Sequence, residues 1–190
     1  VRGLPPITVV ENVDRFGQRL TLEQECLRAH TLPSIAFGHK RCSLKHKIAP
    51  QDKFCNHHPG CRAEWAKGRC VTKYIGYDAG EGRRRERARE RDAADRKYCK
   101  VYPLMDWGWT REDCIRTIRR AGLSVPGKSS CFFCPSMKKQ EILALRDQHP
   151  ELLARALALE ANAQERLITV KGLGRSWSWA DYLNTGKEAA

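Results

Sequence analysis

The chain has 190 residues, of which 41% are hydrophobic and 30% charged, and it carries a formal net charge of +13 at pH 7. These proportions are those of a globular protein, and no apolar stretch approaches the roughly 20 residues of a membrane span, so we expect no membrane partner. The positive charge predicts an anionic partner, either a nucleotide or a nucleic acid. With no export signal and nine cysteines, an odd number, we expect a cytoplasmic protein whose cysteine clusters bind metal.

Three segments are predicted to be strands from their β-branched and aromatic residues. They are residues 4–12, 71–77 and 100–104, the last of which is expected to stop near Pro103. The very basic segment 83–97 between the second and third strands is predicted to be helical. Strand, helix and strand in this order indicate a βαβ unit.

Four further segments are predicted to be helices. Residues 21–30 begin with Thr21 as N-cap and Gln24 as its capping-box partner, and the next helix begins at Thr110 and ends at Gly122. Two more helices, over residues 138–148 and 151–167, follow toward the C-terminus and carry apolar stripes.

The strongest local motif for a functional site is Cys131-Phe132-Phe133-Cys134. Two thiolates three residues apart can bind one metal ion or cluster with little strain, although a redox dithiol or two packed thiols would give the same pattern. The group formed by Cys55, His57 and Cys61, with Cys70 beyond it, also has ligand types within zinc-like reach; the alternative is a solvated loop. The remaining thiols of Cys26, Cys99 and Cys114 are expected to be packed in regular elements.

A glycine-rich loop that begins at Gly76 runs into the arginines of the basic helix. Glycines let backbone N–H groups approach a ligand, and the forked donors of Arg83 and Arg84 match phosphate or sulfate oxygens. The alternative is a charged surface helix in which Glu86 pairs with Arg83 and Glu90 pairs with Arg87.

Four blocks, taken in order, resemble the phosphoadenosine phosphosulfate (PAPS) reductase-like family of prokaryotes and their phages, in the PP-loop or adenine nucleotide alpha hydrolase-like superfamily. The blocks are residues 41–50, 75–84, 102–109 and 127–135. The resemblance implies a Rossmann-like α/β fold and an iron-sulfur cluster of the 4Fe-4S type, with ligands at Cys42, Cys131 and Cys134. The fourth ligand stays open between Cys55, Cys61, a substrate atom and none.

The same resemblance implies a site for the anionic end of ATP or a PAPS-like nucleotide. Its residues are Gly76, Glu81 and Arg84, to which we add Arg83 and Lys128. The family's Ser-Gly-Gly-x-Asp-Ser loop, the PP-loop, occurs nowhere in the chain, so we expect the N-terminal βα unit to be missing or supplied by another chain.

These expectations define one fold and two functional hypotheses. The fold is a partial Rossmann-like nucleotide-binding domain over residues 1–122, followed by a helical Cys-x-x-Cys region over residues 123–190. The first hypothesis is a sulfur-handling oxidoreductase or sulfurtransferase that acts on an adenylated or phosphosulfate nucleotide, or modifies nucleic acid, with an electron or sulfur donor protein as partner. The alternative is a zinc-stabilised nucleic-acid-binding module without catalysis, using ligands among Cys55, His57, Cys61, Cys131 and Cys134.

Overall fold

The computed structural model describes residues 6–127 and 129–185. Within these ranges two short strands are accompanied by many helices. The regular elements, in chain order, are α1 (Leu22–Ala29), α2 (Arg41–Ser43), a π-helical stretch (Leu44–Ile48), α3 (Ala49–His57), α4 (Pro59–Ala66), β1 (Val71–Tyr74), α5 (Gly82–Ala93), β2 (Tyr98–Val101), α6 (Pro103–Asp106), α7 (Arg111–Arg120), α8 (Lys139–Gln148), α9 (Pro150–Ala163) and α10 (Trp179–Thr185). None of the described helices has both the length and the apolar character needed to cross a membrane.

The chain forms two compact units. The first combines the chain up to Phe54 with the chain from Ser130 onward, and the second is Cys55–Ser129. The border between them therefore differs from the division predicted after residue 122. Helices of the predicted C-terminal region share the first unit with α1, which lies near the start of the chain.

The core of the first unit forms where α1, α8 and α10 pack against α9. The side chains of Leu153, Ala156 and Leu159 on α9 are buried, as the three- and four-residue spacing of an inward helical face requires. The predicted capping box of α1 is confirmed: the Gln24 N–H donates to Thr21 Oγ1 and the Thr21 N–H donates to Gln24 Oε1, both at 3.1 Å.

A buried carboxylate fastens the C-terminal segment to this core. Glu160 is only 2% exposed, and it accepts N–H bonds from Leu173 at 2.6 Å and from Trp179 and Ala180 at 3.0 Å. A Cβ added at Gly172 would lie 2.3 Å from Glu160 Oε1, so only glycine lets the backbone approach this closely.

The second unit contains the predicted βαβ arrangement. Strands β1 and β2 are parallel neighbours, with Val71 opposite Tyr98 and Tyr74 opposite Val101, and α5 connects them. Helix α5 ends at Ala93, earlier than predicted, because Asp95 Oδ1 accepts the N–H groups of residues 97 and 98 and turns the chain into β2. The strand stops at Val101 because Pro103 begins α6.

The other predicted helices are confirmed with small shifts at their ends. Thr110 caps α7 in a capping box with Asp113, and Gly122 follows that helix with a φ of +68°. Helices α8 and α9 lie in the segments predicted for them. The last helix is shorter than predicted because a 3₁₀ turn, Gln164–Arg166, follows Ala163.

The strand predicted over residues 4–12 is wrong for the residues that are described. Residues 6–12 form no strand, and the side chains of Ile7 and Val9 are 92% and 78% exposed. The nearest β feature is a single antiparallel bridge between Val13 and Arg19. A β-branched run becomes a strand only where a partner strand and a packing surface are present, and this run has neither among the described residues.

Candidate metal centre and anion site

Cys42 lies at the start of the helical segment that follows α1. It belongs to α2, and its N–H donates to Ser34 Oγ at 3.1 Å, while the same hydroxyl donates to the carbonyl of His39 at 3.2 Å. Ser34 begins a 3₁₀ turn, Ser34–Phe37, that packs on α2. These bonds fix the backbone of Cys42 relative to that turn, whose Ala36 belongs to the core of the first unit.

The Cys131–Cys134 pair lies in two consecutive turns before α8. The Cys134 N–H donates to the Cys131 carbonyl at 3.0 Å, and the Met137 N–H donates to the Cys134 carbonyl at 2.9 Å. The two residues between the cysteines anchor the turns, because Phe133 is buried in the core and its ring lies 4.8 Å from that of Phe132. The thiol pair is therefore held on the surface of the first unit's core.

Two of the predicted ligands, Cys42 and Cys134, lie near enough to the third, Cys131, for their charges to act on its thiol. Burial raises the pKa of the Cys131 thiol, and the neighbouring thiols of Cys134 and Cys42 raise it further, while Lys47 acts in the opposite direction. A fourth thiol belongs to the same neighbourhood. Burial raises the pKa of Cys26 to about 12, with added contributions from Glu25, Cys42 and Cys131.

The side chains are not arranged around a single-ion site. Among residues 6–127 and 129–185, no three Cys, His, Asp or Glu side chains stand together in a group that could hold a metal ion. In a tetrahedral thiolate site the sulfurs lie about 3.8 Å apart, since each metal-sulfur bond is about 2.3 Å. The thiols of the first unit therefore interact electrostatically without forming a preassembled zinc cage.

A cavity of about 610 Å³ adjoins these thiols. Cys26 and Cys42 both line it, together with Glu25, Lys45 and His46. Glu25 forms an ion pair with Lys45 and lies 2.8 Å from His46 Nε2. Burial would raise the pKa of Glu25, but the hydrogen bonds and charges of these two basic partners hold it below its usual value.

The second cysteine group lies in the other unit. Cys55 belongs to α3 and Cys61 to α4, and burial together with the charge and hydrogen bond of Cys55 raises the pKa of Cys61. Cys70 does not join them as a free ligand, and Cys99 is not the packed thiol predicted from the sequence, because these two form a disulfide. Parallel pairing of β1 with β2 brings their Cα atoms to 5.6 Å, which permits the bond.

The predicted anion-binding residues follow β1 and open α5. Glu81 forms an ion pair with Arg84, whose guanidinium lies 4.3 Å from the centre of the Tyr77 ring. The hydrogen bond that Arg84 donates to the Glu81 carboxylate is the main cause of the raised pKa of Arg84. Arg83 is exposed and makes no ion pair within the part of the chain that is described.

The surroundings of this loop differ in detail from the expected pattern. A Cβ added at Gly76 would meet nothing within 4 Å, so the space in front of its backbone is open. Glu86 pairs with Arg89 at 3.4 Å, so the predicted pairing of Glu86 with Arg83 is wrong. Lys128, the remaining predicted anion-binding residue, lies outside the described residues.

Sequence reasoning missed the position of Cys26. The sequence predicts a thiol packed in a regular element, and Cys26 is indeed buried in α1. Its nearness to Cys42 and Cys131 depends on the contact of α1 with α9, which no local pattern shows.

Similarity to known proteins gives no further guide to either site. No family model, curated protein or solved structure matches this chain. Functional assignment therefore rests on the thiols of the first unit and on the loop before α5.

Proposed function

We propose that this chain carries the thiolate-ligated cofactor site of a sulfur-handling enzyme of the PAPS reductase-like type. The observation that carries the proposal is that Cys42 and Cys134 lie near enough to Cys131 to raise the pKa of its thiol, although Cys42 comes from a distant part of the sequence; all three belong to one compact unit. Cysteines that serve only in packing need not lie close to one another in the fold. Cysteines that ligate one metal centre must lie close together, because such a centre takes three or four ligands.

The cofactor that we propose for this site is an iron-sulfur cluster, whose usual protein ligands are cysteine thiolates. Two of the proposed ligands, Cys42 and Cys134, lie near enough to Cys131 for their charges to act on its thiol. Lys47 supplies positive charge near Cys131, which favours the ionised thiolates that a cluster needs. When bound, a 4Fe-4S cluster would supply electron transfer or a site for sulfur.

The proposed substrate is an adenylated or phosphosulfate nucleotide, free or as part of a nucleic acid. Ligands of α/β proteins bind beyond the carboxyl ends of parallel strands, and the residues after Tyr74 and Val101 occupy that position in the βαβ unit. Arg83 and Arg84 offer forked donors there, and the face of Tyr77 already stacks on a planar cation. This arrangement supports a partial Rossmann-like fold for the second unit as part of the same proposal. Turnover would need ATP or a PAPS-like nucleotide and an electron or sulfur donor protein.

Anaerobic purification with iron and acid-labile sulfide analysis tests the cofactor. We expect a brown protein with a broad visible absorption band and with iron and sulfide in equal amounts. Replacing Cys131 or Cys134 by Ser should remove most of the iron, whereas Cys114→Ser should not, because that free thiol lies on α7 in the other unit. A colourless wild-type protein after reconstitution with ferrous iron and sulfide would contradict the proposal.

One observation favours a second candidate, a zinc-stabilised nucleic-acid-binding module. The charge of Cys55 and a hydrogen bond to it contribute to the raised pKa of the Cys61 thiol, so two zinc-like ligands lie near each other in the second unit. This candidate predicts a colourless protein with stoichiometric zinc. The zinc should be lost on Cys55→Ser and kept on Cys42→Ser.

A further inference from the structure

One row of arginines on α5 has no acidic partner. Arg83, Arg87 and Arg91 are exposed, and none of them forms an ion pair or a side-chain hydrogen bond within the described part of the chain. Arg89 on the same helix differs, because Glu86 pairs with it at 3.4 Å. The three guanidinium groups of the row are therefore available to an anion from outside the chain.

The row follows one side of the helix. Its members are four residues apart, so each lies about 6 Å further along the axis and is turned by only about 40°. The adjacent row packs on β2: Ala88 is buried, and the Asp92 carboxylate accepts a hydrogen bond from Lys100 Nζ at 2.8 Å. The arginine row is turned by about 100° from this packed row and faces solvent. Successive phosphates of an extended single strand are spaced similarly, so one strand can place a phosphate at each arginine.

The exposed side of α5 offers nothing apolar that a protein partner could bury. The helix contains two alanines, of which Ala88 is buried and Ala93 ends the helix, and its other residues are glycine, arginine and carboxylates. The core of a protein interface is depleted in charged residues, whereas nucleic acids bind through their phosphates to Arg and Lys. This composition favours a nucleic acid over an acidic protein.

An exposed tryptophan lies near the first turns of the same helix. Trp107 is 63% exposed, and the ring of Trp109 lies 5.4 Å from it. Two contacts hold this segment beside α5. Asp106 pairs with Arg85 at 3.5 Å, and the Trp109 carbonyl accepts the N–H of Ala79, which belongs to the turn just before the helix, at 2.7 Å. The open indole face is a surface on which a nucleic-acid base can stack.

We propose that the second unit binds a single-stranded nucleic acid, with phosphates along Arg83, Arg87 and Arg91 and one base stacked on Trp107. The inference rests on the proposed function, because it assigns the substrate nucleotide to a nucleic-acid strand instead of the free pool. A single strand fits better than a duplex, since its unpaired bases expose their faces to aromatic side chains. A basic row beside an aromatic platform is the usual composition of such sites.

Fluorescence anisotropy on the full chain tests the arginine row. The probe is a labelled oligothymidine of about 12 nucleotides, within the length that one site of this kind covers. The logarithm of affinity for a single strand falls with the logarithm of salt concentration by about 0.7 for each phosphate contact. We therefore expect Arg87→Gln to reduce the slope by about 0.7 and the combined replacement of Arg83, Arg87 and Arg91 to reduce it by about 2. Arg89→Gln is the matched control, because it removes the same charge from the same helix but from an arginine that is already paired.

A variant that gains affinity guards against misfolding as the cause of a loss. Glu90 is exposed and lies next to Arg91, where its charge repels a phosphate. Glu90→Gln should tighten binding about 2- to 5-fold. Circular dichroism checks that each variant folds.

Trp107 is tested in the same assay. Trp107→Ala should weaken binding about 5- to 150-fold, the usual effect of losing one stacked base, whereas Trp107→Phe keeps an aromatic face and should lose much less. Oligouridine of the same length distinguishes RNA from DNA. A duplex of that length should bind more weakly than the single strand and depend little on Trp107.

Three results would overturn the inference: equal losses of slope for Arg87→Gln and Arg89→Gln, unchanged binding by Trp107→Ala, or polyglutamate bound as tightly as the oligonucleotide. Each would indicate a diffuse charged surface, and each would leave the proposed function standing with a free nucleotide as substrate. A wild-type chain that binds the strand but holds no iron after reconstitution would overturn the proposed function and leave the strand site intact.

Discussion

Glu160 is expected to be the residue of the first unit whose loss most weakens the packing of the C-terminal segment. Its carboxylate is buried and accepts N–H bonds from residues 173, 179 and 180. Replacement by Ala leaves these donors without a partner, at about 1–3 kcal/mol for each one that stays buried. Because Ala180 is only partly buried, its N–H can bond to water instead, and we expect the free energy of unfolding to fall by about 3–5 kcal/mol.

The substitution Glu160→Gln removes the negative charge of the side chain but keeps its size and shape. In Glu160→Gln, one oxygen can still accept the bonds from Leu173 and Trp179, but the amide NH₂ then faces the N–H of Ala180. We expect a loss of about 1–3 kcal/mol, smaller than for Glu160→Ala. Glu165→Gln is the control, because Glu165 is exposed and its replacement should change stability by less than about 0.5 kcal/mol.

Urea unfolding followed by circular dichroism measures these differences, and hydrogen exchange locates them. The expected local effect is faster exchange of the amides of residues 173, 179 and 180 in both Glu160 variants. If Glu160→Ala unfolds at the same urea concentration as Glu165→Gln, the three bonds do not stabilise the fold and the reasoning is refuted.

Three other predictions concern the loop before α5, the cavity and the disulfide. Arg84→Ala should weaken nucleotide or nucleic-acid binding more than Arg89→Ala in a titration at fixed salt, because only Arg84 lies in the first turn of α5, next to that loop; equal losses would indicate a diffuse charged surface. The lowered pKa of Glu25 means that its ion pair stabilises the fold above the usual carboxyl pKa, and that this contribution disappears as the pH falls through the lowered value. Unfolding at pH 7 and at acid pH should therefore differ less for Glu25→Gln than for the wild type; an unchanged pH dependence would exclude this role. Replacing both Cys70 and Cys99 by Ala opens a bond across 29 residues and should lower stability by up to about 3.6 kcal/mol in the chain-entropy estimate, and an unfolding midpoint that is equal for this variant and the wild type would show that the bond adds nothing.

The sequence alone determined the elements whose signals are local. The N-cap residues Thr21 and Thr110 showed where two helices begin, because the side chain of each accepts a hydrogen bond from the backbone N–H three residues later. The strand, helix and strand of the second unit were also predictable. The change from the two-residue period of a strand to the 3.6-residue period of a helix is visible in neighbouring residues. The strand predicted from local residues was wrong for residues 6–12, because a strand also requires a neighbouring strand from another part of the chain.

Only part of the candidate metal centre could be predicted from the sequence. The spacing of Cys131 and Cys134 predicted a ligand pair, and a family resemblance added Cys42, but no local pattern shows that Cys26 lies near Cys42 and Cys131. Only the tertiary structure brought these thiols together, by packing α1 against α9 in the first unit. It likewise paired β1 with β2 and so joined Cys70 to Cys99. The physical reason is common to both cases: helix caps and strand periodicity act over a few residues, whereas the meeting of distant thiols depends on which apolar faces are buried against each other.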